Sequence, residues 1–552
     1  MISLRSWVLR GVRQEMSFFW LSALIYVLFV LCVVFQPLST LIVTILPDDT
    51  FYYFQIAKRI AQGAGSTFDG IAPTNGYHPL WMAVLVPLFR FLPQAQAIQA
   101  SLLVAATLYL ALAGLLFKAL RVLIPHRLIH GIVFAAWFFN PLLMTESING
   151  LETSLSIFCL VAFVVALSKW KTNASTNSLL LIGAIGGGML LARTDFIIYY
   201  AILVGHQLYL RRQTFFKDGL RLGLGTGIML LPWLAWNLAT FGTIVQVSGA
   251  AYTLAQYQRV FVSSTVNVGR AWPFVFAKAT FSTTIYGLQA FLEQALYGWL
   301  VFLAGGMCLM AALFKRESVQ ASEETSVTLT NEKEAAWMRI LPSLFIAGLV
   351  YFCVEVCLRW SIRSWYFAHL QILVWVGIAY AYYRSSAEAY LKRVKVWWFL
   401  PVIALMICTW VWIGYKEVSV RYADQAEFIQ AADWMNKELP TGSKIGVFNS
   451  GIQGFLSRHQ VINLDGLVNN EVYPYLKKRD VLAYIQAREI GYVSDFYKVI
   501  FGKFGNAWGV SPYAFFTQGK PITTLKIFDP VGIYLYKISE QGQNAAATST
   551  KP

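Results

Sequence analysis

The sequence predicts a polytopic α-helical membrane protein with about 11 transmembrane helices, followed by a small C-terminal α/β domain outside the membrane. Of the 552 residues, 57% are hydrophobic and only 13% are charged, whereas an average globular chain carries about 25% charged residues. Long apolar runs alternate with short basic loops, as is typical of multi-pass membrane proteins. From residue 416 onward the chain is more polar and shows alternating strand and helix patterns.

Eleven apolar stretches approach the length of about 20 residues that a transmembrane helix needs. The first is long enough for a span and an outer helical extension. The stretch 79–93 is short and contains Arg90 and three prolines, so we predict an interfacial helix there. The predicted spans are 17–46, 97–117, 128–145, 152–168, 179–192, 195–210, 219–239, 293–314, 339–358, 365–383 and 396–415.

The distribution of basic residues predicts the orientation. With the N-terminus in the cytoplasm, the inner segments carry 20 Lys and Arg, the outer loops carry 9, and the segment after residue 415 holds the other 15. Short loops with positive charge stay on the cytoplasmic side, so this bias supports a cytoplasmic N-terminus. An odd number of spans then places the C-terminal domain outside the membrane.

The predicted organisation has three parts. Residues 1–415 form the transmembrane domain, with a first outer loop of interfacial helices at 47–96 and a long outer loop at 240–292. Residues 416–540 form the α/β domain, and residues 541–552 are a disordered tail. Within the α/β domain we predict strands at 443–448 and 460–464, helices at 451–457 and 476–489, and a hairpin from 523–528 and 533–536.

Two function classes are disfavoured by composition. The net charge of +16 does not indicate nucleic-acid binding, because the basic residues do not form a compact patch with interleaved aromatics. All six cysteines lie in apolar runs and no CxxC pair occurs, so neither a cysteine metal site nor a disulfide framework is indicated.

Two adjacent carboxylates, Asp48 and Asp49, directly follow the first predicted span. Adjacent carboxylates repel each other, so one pKa rises unless a cation or a basic partner relieves the repulsion. This arrangement favours a general base or a ligand for a divalent cation such as Mg²⁺, Mn²⁺ or Ca²⁺, and the sequence leaves both open. The alternative is that the pair only marks the end of the span.

The segment behind this pair is richer in Gly, Pro and aromatic residues than a passive connector needs to be. It starts with the aromatic stretch at 51–60 and ends in FDGIAPTNGYHPLW at 68–81, which includes Tyr77 and His78. As alternatives, the aromatics form an interfacial belt and His78 is structural.

The Asp-Asp pair, the interfacial helix, the Gly-rich turn and the HPLW sequence at 78–81 resemble the first outer loop of the GT-C superfamily. These are integral-membrane glycosyltransferases that use polyprenyl-phosphate sugars. Within the superfamily, the sequence resembles bacterial members that include arabinofuranosyltransferases. The resemblance covers the chain from the first span to about residue 155, and the layout of the rest more loosely.

The resemblance implies sugar transfer from a polyprenyl-phosphate donor to a cell-envelope acceptor at the outer face of the bacterial plasma (inner) membrane. Asp48 or Asp49 matches the catalytic Asp of the family, and we favour Asp48. It would deprotonate the acceptor hydroxyl as that oxygen attacks the anomeric carbon, which inverts the configuration. One carboxylate suffices because the lipid phosphate is a good leaving group, whereas a glycosidase needs a second acid. No nucleotide cofactor is implied, and the acceptor is a glycan, a lipid or a protein.

A second group of candidates lies between the third and fourth spans. Glu146 and Glu152 flank a predicted tight turn at Asn149–Gly150, and span parity places this turn on the same face as Asp48. The resemblance extends to this segment and implies that Glu152 or Glu146 contacts the acceptor or a metal ion. The alternative for Glu152 is a favourable interaction with the helix dipole.

Basic residues at outer positions are candidates for binding the lipid phosphate. Arg193 ends the fifth span, and its alternative is a simple ion pair with Asp195. Arg359 and Arg363 are four residues apart, so they share one face if the segment is helical, close to Tyr366. Guanidinium groups suit phosphate recognition, although interfacial arginines also meet phospholipid headgroups.

Three further residues complete the set of candidates. Asp465 follows a predicted strand, where loops of open α/β sheets often bind ligands, so it is a candidate for recognising acceptor hydroxyls. The alternative is an ordinary Asp-Gly turn. Arg270 and Lys278, in the long outer loop, are alternative phosphate contacts.

Two other functional classes compete with the glycosyltransferase. A transporter or flippase of a lipid-linked or small solute typically shows internal repeats and ionisable groups near mid-membrane, and the sequence has no repeat and few such groups. A non-enzymatic scaffold would not need the segment 48–81. The sequence therefore favours the glycosyltransferase and leaves its sugar, its acceptor and a metal requirement open.

Overall fold

Helices dominate the N-terminal part of the chain, and one sheet organises the C-terminal part. The structure is a computed structural model that describes residues 2–124, 127–171, 174–258, 332–358, 363–384, 421–503, 522–528 and 532–538, with isolated positions between 277 and 419. The helices before the C-terminal domain are α1 (Ile2–Val34), α2 (Leu38–Thr44), α3 (Asp48–Ala61), α4 (Pro79–Phe91), α5 (Gln94–Leu123), α6 (Arg127–Phe138), α7 (Pro141–Glu146), α8 (Thr153–Ser168), α9 (Thr176–Ala192), α10 (Ile197–Leu210), α11 (Phe215–Phe241), α12 (Val247–Tyr257), α13 (Glu332–Leu358), α14 (Ser364–Phe367) and α15 (Leu370–Arg384).

Four helices among the described residues are long and apolar enough to cross a membrane. They are Met16–Val34, Gln94–Leu123, Arg212–Phe241 and Trp337–Leu358, and shorter apolar helices such as α8 and α9 pack beside them. The prediction of a multi-pass membrane protein is confirmed. The predicted spans 293–314 and 396–415 lie almost entirely outside the described residues, so the number of 11 spans stays a prediction.

Prolines divide two of the predicted spans. The span 17–46 ends its long helix at Val34, before Pro37, and continues as α2, which agrees with the predicted outer extension. The span 128–145 ends at Phe138 and restarts after Asn140, whose side chain accepts the N–H groups of the first turn of α7. This restart directs α7, and with it Glu146, into the region where the first outer loop packs.

The C-terminal domain (described residues 421–538) contains one five-stranded sheet with the strand order β2-β1-β3-β5-β4. β1 pairs in parallel with β2 and β3, and the β4–β5 hairpin extends the sheet antiparallel to β3. The two predicted strands, the helix at 451–457 and the predicted hairpin are confirmed, whereas β3 and the long helix α16 were not predicted. The predicted helix 476–489 is wrong: two short helices, Tyr473–Lys478 and Val481–Ala487, occupy this segment, and Arg479 between them has a left-handed backbone with φ of 57°. The elements are α16 (Ala426–Glu438), β1 (Lys444–Val447), α17 (Gly451–Leu456), β2 (Gln460–Asn463), α18 (Tyr473–Lys478), α19 (Val481–Ala487), β3 (Tyr492–Phe496), β4 (Ile522–Phe528) and β5 (Ile533–Ile538).

The segment 47–96, predicted to be the first outer loop, joins the helix bundle to the C-terminal domain. Phe455 of α17 packs against Phe51 and Phe54 of α3, with ring centroids 5.4 and 6.1 Å apart. On the bundle side, the Thr50 hydroxyl donates to the carbonyl of Asn149 at 2.6 Å. Helix α3 is therefore held from both sides, which brings its N-terminus next to the α7–α8 turn and the C-terminal domain.

Candidate active site

Asp48 and Asp49 open α3 and point in different directions, because consecutive residues of an α-helix are rotated by about 100°. Asp49 lines a cleft between the helix bundle and the C-terminal domain. Asp48 turns toward the C-terminal domain, where its carboxylate oxygens accept the N–H groups of Ile452 at 2.7 Å and Gly451 at 3.2 Å. Of the two candidates for the catalytic Asp, the structure thus places Asp49 in the cleft, whereas Asp48, which the sequence analysis favoured, does not line it.

Burial raises the pKa of Asp48 to about 7. The hydrogen bonds from Ile452 and Gly451 act in the opposite direction, and the neighbouring charges of Asp49 and Asp495 raise the pKa further. At this carboxyl group, the loss of hydration raises the pKa by more than the two backbone hydrogen bonds lower it.

The cleft is lined by segments that are far apart in the sequence. They come from α3, the segment before α4, the α7–α8 turn, the end of α9, α12, α14 and the loop after β2. Six of the lining side chains are aromatic. The lining residues are Asp49, Tyr52, Tyr53, Gly76, Tyr77, His78, Leu151, Glu152, Arg193, Thr194, Gln246, Ser248, Gly249, Tyr252, Trp365, Tyr366, Leu467 and Val468.

Glu152 and Arg193 form the charged wall of the cleft. Arg193 Nη1 lies 3.2 Å from Glu152 Oε1, and Arg193 Nε lies 2.9 Å from Asp195 Oδ1. The guanidinium also lies over the ring of Tyr366, 5.0 Å from its centroid. Glu152 is the N-cap of α8 but makes no side-chain capping bond, so its carboxylate serves the ion pair and not the helix terminus. The predicted pair of Arg193 with Asp195 is present, and Arg193 lines the cleft as well.

His78 and Tyr77 line the cleft next to this wall. His78 Nε2 lies 3.6 Å from Glu152 Oε1, and the backbone N–H of Thr194 donates to His78 Nδ1 at 3.5 Å. The hydroxyl group of Tyr77 is bound to Ser66 at 2.7 Å. Tyr77 therefore presents its ring, not a hydroxyl group, to a ligand in the cleft.

Glu146 and Asn149 lie beside the cleft in a buried polar network. Glu146 accepts hydrogen bonds from Asn149 Nδ2 at 2.6 Å, from Ser364 and from Arg421. Arg421 also donates to Thr145 at 2.9 Å. Neither Glu146 nor Asn149 lines the cleft, so this network supports the site from behind. Arg421 was not among the sequence candidates, although it is the first arginine after the last predicted span.

Arg363 lies beside Asp49, and Tyr366 lines the cleft one helical turn further on. The charge of Asp49 raises the pKa of Arg363, against the effect of burial, with Tyr252 contributing in the same direction. The Nε atom of Arg363 is buried without a hydrogen-bond partner among the described residues. Arg359, Arg270 and Lys278 lie outside the described residues, so the predicted shared face of Arg359 and Arg363 stays a prediction.

Asp465 is buried at the carboxyl end of β2, and its side chain accepts the N–H of Leu467 at 2.9 Å. Burial raises its pKa well above the usual range, because the hydrogen bonds that lower the pKa compensate only in part. Its neighbours Leu467 and Val468 line the cleft, whereas Asp465 does not. The loop after β2 thus lines the cleft, but through Leu467 and Val468 and not through the predicted Asp465. Helix α12 lines the cleft with Ser248, Gly249 and Tyr252, none of which was a candidate from the sequence.

A cation site at the Asp-Asp pair does not fit the geometry. Both oxygens of Asp48 face backbone N–H groups of the C-terminal domain, so Asp48 and Asp49 do not present their carboxylates to a common ion. No group of three or more His, Cys, Asp or Glu side chains in the described part of the chain is arranged to hold a metal ion. No step of the reaction proposed below is assigned to a cation.

One family model matches the C-terminal part of the sequence. A family model described as a domain of unknown function, DUF8728, matches residues 416–532. No curated protein sequence matches the chain.

Solved structures show a similar fold over nearly the whole chain. The oligosaccharyltransferase of Archaeoglobus fulgidus in the apo form aligns with 14% identity and a TM-score of 0.54, covering 96% of this chain and 74% of that one. ArnT of Cupriavidus metallidurans bound to undecaprenyl phosphate aligns with 13% identity and a TM-score of 0.53, covering 93% and 97%. AglB of Archaeoglobus fulgidus with an inhibitory peptide and a dolichol-phosphate aligns with 13% identity and a TM-score of 0.52, covering 96% and 75%. The chain therefore shares its fold with these solved structures, as the predicted resemblance implied.

Proposed function

We propose that this protein is an inverting glycosyltransferase that moves a monosaccharide from a polyprenyl-phosphate donor to a cell-envelope acceptor at the outer face of the bacterial plasma membrane. The observation that carries the proposal is the position of Asp49, which lines the cleft next to Arg363. The GT-C fold supports it, because similar structures contain undecaprenyl phosphate or dolichol-phosphate.

In this proposal Asp49 is the general base. The acceptor hydroxyl oxygen attacks the anomeric carbon, its proton passes to Asp49, and the bond between that carbon and the phosphate oxygen breaks. The polyprenyl phosphate leaves with the bonding electrons, so one displacement inverts the anomeric centre. A single carboxylate is sufficient because the phosphate needs no proton to leave.

Arg363 is the proposed contact for the donor phosphate. Its buried Nε has no hydrogen-bond partner among the described residues, and an orphaned guanidinium donor is costly unless an anion binds to it. A fixed positive charge at this position stabilises the negative charge that develops on the departing phosphate. His78, on the far wall beside Glu152, is a second proposed contact for the substrate.

The six aromatic side chains suit the binding of sugar rings, because their flat faces pack against the C–H faces of a sugar. Glu152 is proposed as an acceptor contact, held in place by Arg193. Glu146 and Asn149 are proposed to support this wall through the network with Arg421. Asp465 is proposed to shape the loop that presents Leu467 and Val468.

The test is sugar transfer in liposomes by the unsubstituted chain, Asp49→Asn and the matched control Asp433→Asn. Asp433 lies on an exposed position of α16. Donors are polyprenyl-phosphate arabinofuranose, mannose, glucose and galactose, with a membrane glycan extract as acceptor. We expect Asp49→Asn to lower kcat by about 100- to 10,000-fold, the usual contribution of a general base, while donor binding and the activity of Asp433→Asn stay unchanged.

Other results have distinct meanings. Transfer that survives Asp49→Asn would move the base to Asp48 or Glu152. A chain that binds none of the lipid-phosphate sugars would contradict the proposal and favour the transporter or flippase class.

A further inference from the structure

Helix α3 has two functional faces that follow its periodicity. Asp49 and Tyr53, four residues apart, line the cleft. Asp48 and Tyr52, also four residues apart, bind one segment of the C-terminal domain, since Ser450 N–H donates to the Tyr52 hydroxyl at 3.2 Å. Tyr52 also lines the cleft, so Asp48 is the residue of this pair that serves the docking face alone. A shift of the C-terminal domain on one face therefore moves the carboxylate on the other.

The contact at Asp48 is tight on both its side chain and its backbone. A Cβ atom at Gly451 would lie 2.1 Å from the carbonyl oxygen of Asp48, so a side chain at that position cannot be accommodated without displacement. The backbone N–H of Asp48 donates to Gln425 Oε1 at 2.7 Å, and Gln425 Nε2 donates to the Leu46 carbonyl at 2.8 Å. Two segments of the C-terminal domain, one around Gln425 and one at Gly451 and Ile452, thus bind the start of α3.

The same docking completes the wall of the cleft. A Cβ atom at Gly76 would lie 1.9 Å from the carbonyl oxygen of Leu467, so the loop after β2 sits directly on the segment that precedes α4. Asn75 and Asn470 hold this approach through reciprocal bonds: Asn75 N–H donates to Asn470 Oδ1 at 3.3 Å, and Asn470 Nδ2 donates to Asn75 Oδ1 at 3.0 Å. Without the C-terminal domain the cleft would lack Leu467 and Val468.

Two acceptor oxygens at residue 48 suit this contact, because two N–H groups point at the two oxygens of Asp48. An Asn side chain offers one acceptor and places an NH₂ group against the second N–H donor. Among the described residues, Asp49, Asp495 and Asp465 are the charged groups that interact with Asp48, and all three are acidic. In this part of the chain the contact is thus made by backbone N–H groups and not by a basic side chain.

We propose that Asp48 is a positioning residue: its carboxylate docks the C-terminal domain onto α3, which aligns Asp49 and closes the cleft with Leu467 and Val468. The two adjacent carboxylates then have separate tasks, one reacting and one docking. This inference rests on the proposed function for the reaction, and on the hydrogen bonds to Gly451 and Ile452 for the docking.

Two measurements on the full chain test it, with Asp48→Asn and Gly451→Ala as the variants. Gly491→Ala is the matched control, since a Cβ atom there meets nothing within 4 Å. The first measurement is amide hydrogen exchange of the peptide around residues 448–457, which carries the two N–H groups bound by Asp48. The second is transfer kinetics with the polyprenyl-phosphate sugar that the chain uses, together with donor binding.

We expect faster exchange in both variants, and a kcat reduced about 100-fold with donor affinity kept, because misplacing a catalytic group by about 1 Å has an effect of that size. Gly491→Ala should behave like the unsubstituted chain. Gly451→Ala keeps the carboxylate, so a loss of kcat there separates positioning from direct catalysis by Asp48.

Unchanged exchange in both variants would overturn the docking role. Faster exchange with unchanged kcat per folded molecule would overturn the positioning role. A loss confined to Asp48→Asn, with Asp49→Asn still active, would make Asp48 the base. If the unsubstituted chain transfers no sugar, the proposed function fails, and exchange alone then decides whether Asp48 docks the domain.

Discussion

Arg193 Nη1 lies 3.2 Å from Glu152 Oε1 while its Nε lies 2.9 Å from Asp195 Oδ1, so one buried guanidinium holds two carboxylates. The Arg193 side chain is only 2% exposed. Tyr351 donates a further hydrogen bond to Asp195 at 3.1 Å. The wall of the cleft is thus fixed by an ion-pair network that continues from α8 through the end of α9 to α13.

Replacing Arg193 by Met should destabilise the protein strongly. Two buried carboxylates then lose their counter-charge, and breaking a buried pair in this way costs about 3–5 kcal/mol. We expect a clearly lower unfolding temperature in detergent, measured by the loss of monodisperse protein on heating. Arg458→Met, at an exposed position, is the control. Equal unfolding temperatures for the two variants would show that the network contributes little.

The bond between Arg421 and Glu146 predicts a non-additive pair of substitutions. Both side chains are buried, with 9% and 1% exposed. Arg421→Met leaves the Glu146 charge uncompensated and should lower the unfolding temperature more than the double substitution Arg421→Met with Glu146→Gln does. Unfolding temperatures of the two single variants and the double variant measure this coupling. A double variant whose loss equals the sum of the single losses would contradict a direct interaction.

Arg363→Gln should weaken binding of the donor. A charge-assisted hydrogen bond contributes about 1.5–3 kcal/mol, so we expect the dissociation constant of a polyprenyl phosphate to rise about 10-fold or more. Arg458→Gln serves as the matched control, and binding is measured in nanodiscs by titration calorimetry. Equal dissociation constants would remove Arg363 from the phosphate site.

The pKa of Asp48, raised to about 7 mainly by burial, predicts a pH-dependent stability. The folded chain binds this proton more tightly than the unfolded chain, where the pKa is near 4. The contribution of Asp48 to the free energy of unfolding therefore falls as pH rises from about 4 to about 7, and is constant above that range. Asp495, with a pKa raised to about 6, changes the stability with pH in the same direction. Because Asp495 is unchanged in all the compared variants, its effect is common to all of them.

As the pH rises from about 4 to about 7, we expect the stability of Asp48→Asn to fall less than that of the unsubstituted chain. The measurement is the unfolding temperature in detergent at half-unit steps of pH. Asp433→Asn should follow the unsubstituted chain throughout. Parallel curves for Asp48→Asn and the unsubstituted chain would show that the Asp48 carboxyl group titrates alike in the folded and unfolded states.

The sequence by itself determined the membrane class, the outer-loop motif and most elements of the C-terminal domain. Each of these follows from short-range patterns: apolar length for the helices, alternation for β1, β2 and the β4–β5 hairpin, and Gly and Pro for the turns. The strand β3 escaped prediction because the segment Tyr492–Phe496 shows no regular alternation of apolar and polar residues.

Only the tertiary structure decided which carboxylates face the cleft. Asp48 and Asp49 are neighbours in the sequence, and a rotation of about 100° sends one to the C-terminal domain and the other to the cleft. Glu146 is bound by Arg421, 275 residues away, so no local pattern reveals that it is occupied. A local pattern predicts where a helix begins, but the direction of a side chain is meaningful only once its distant packing partners are in place.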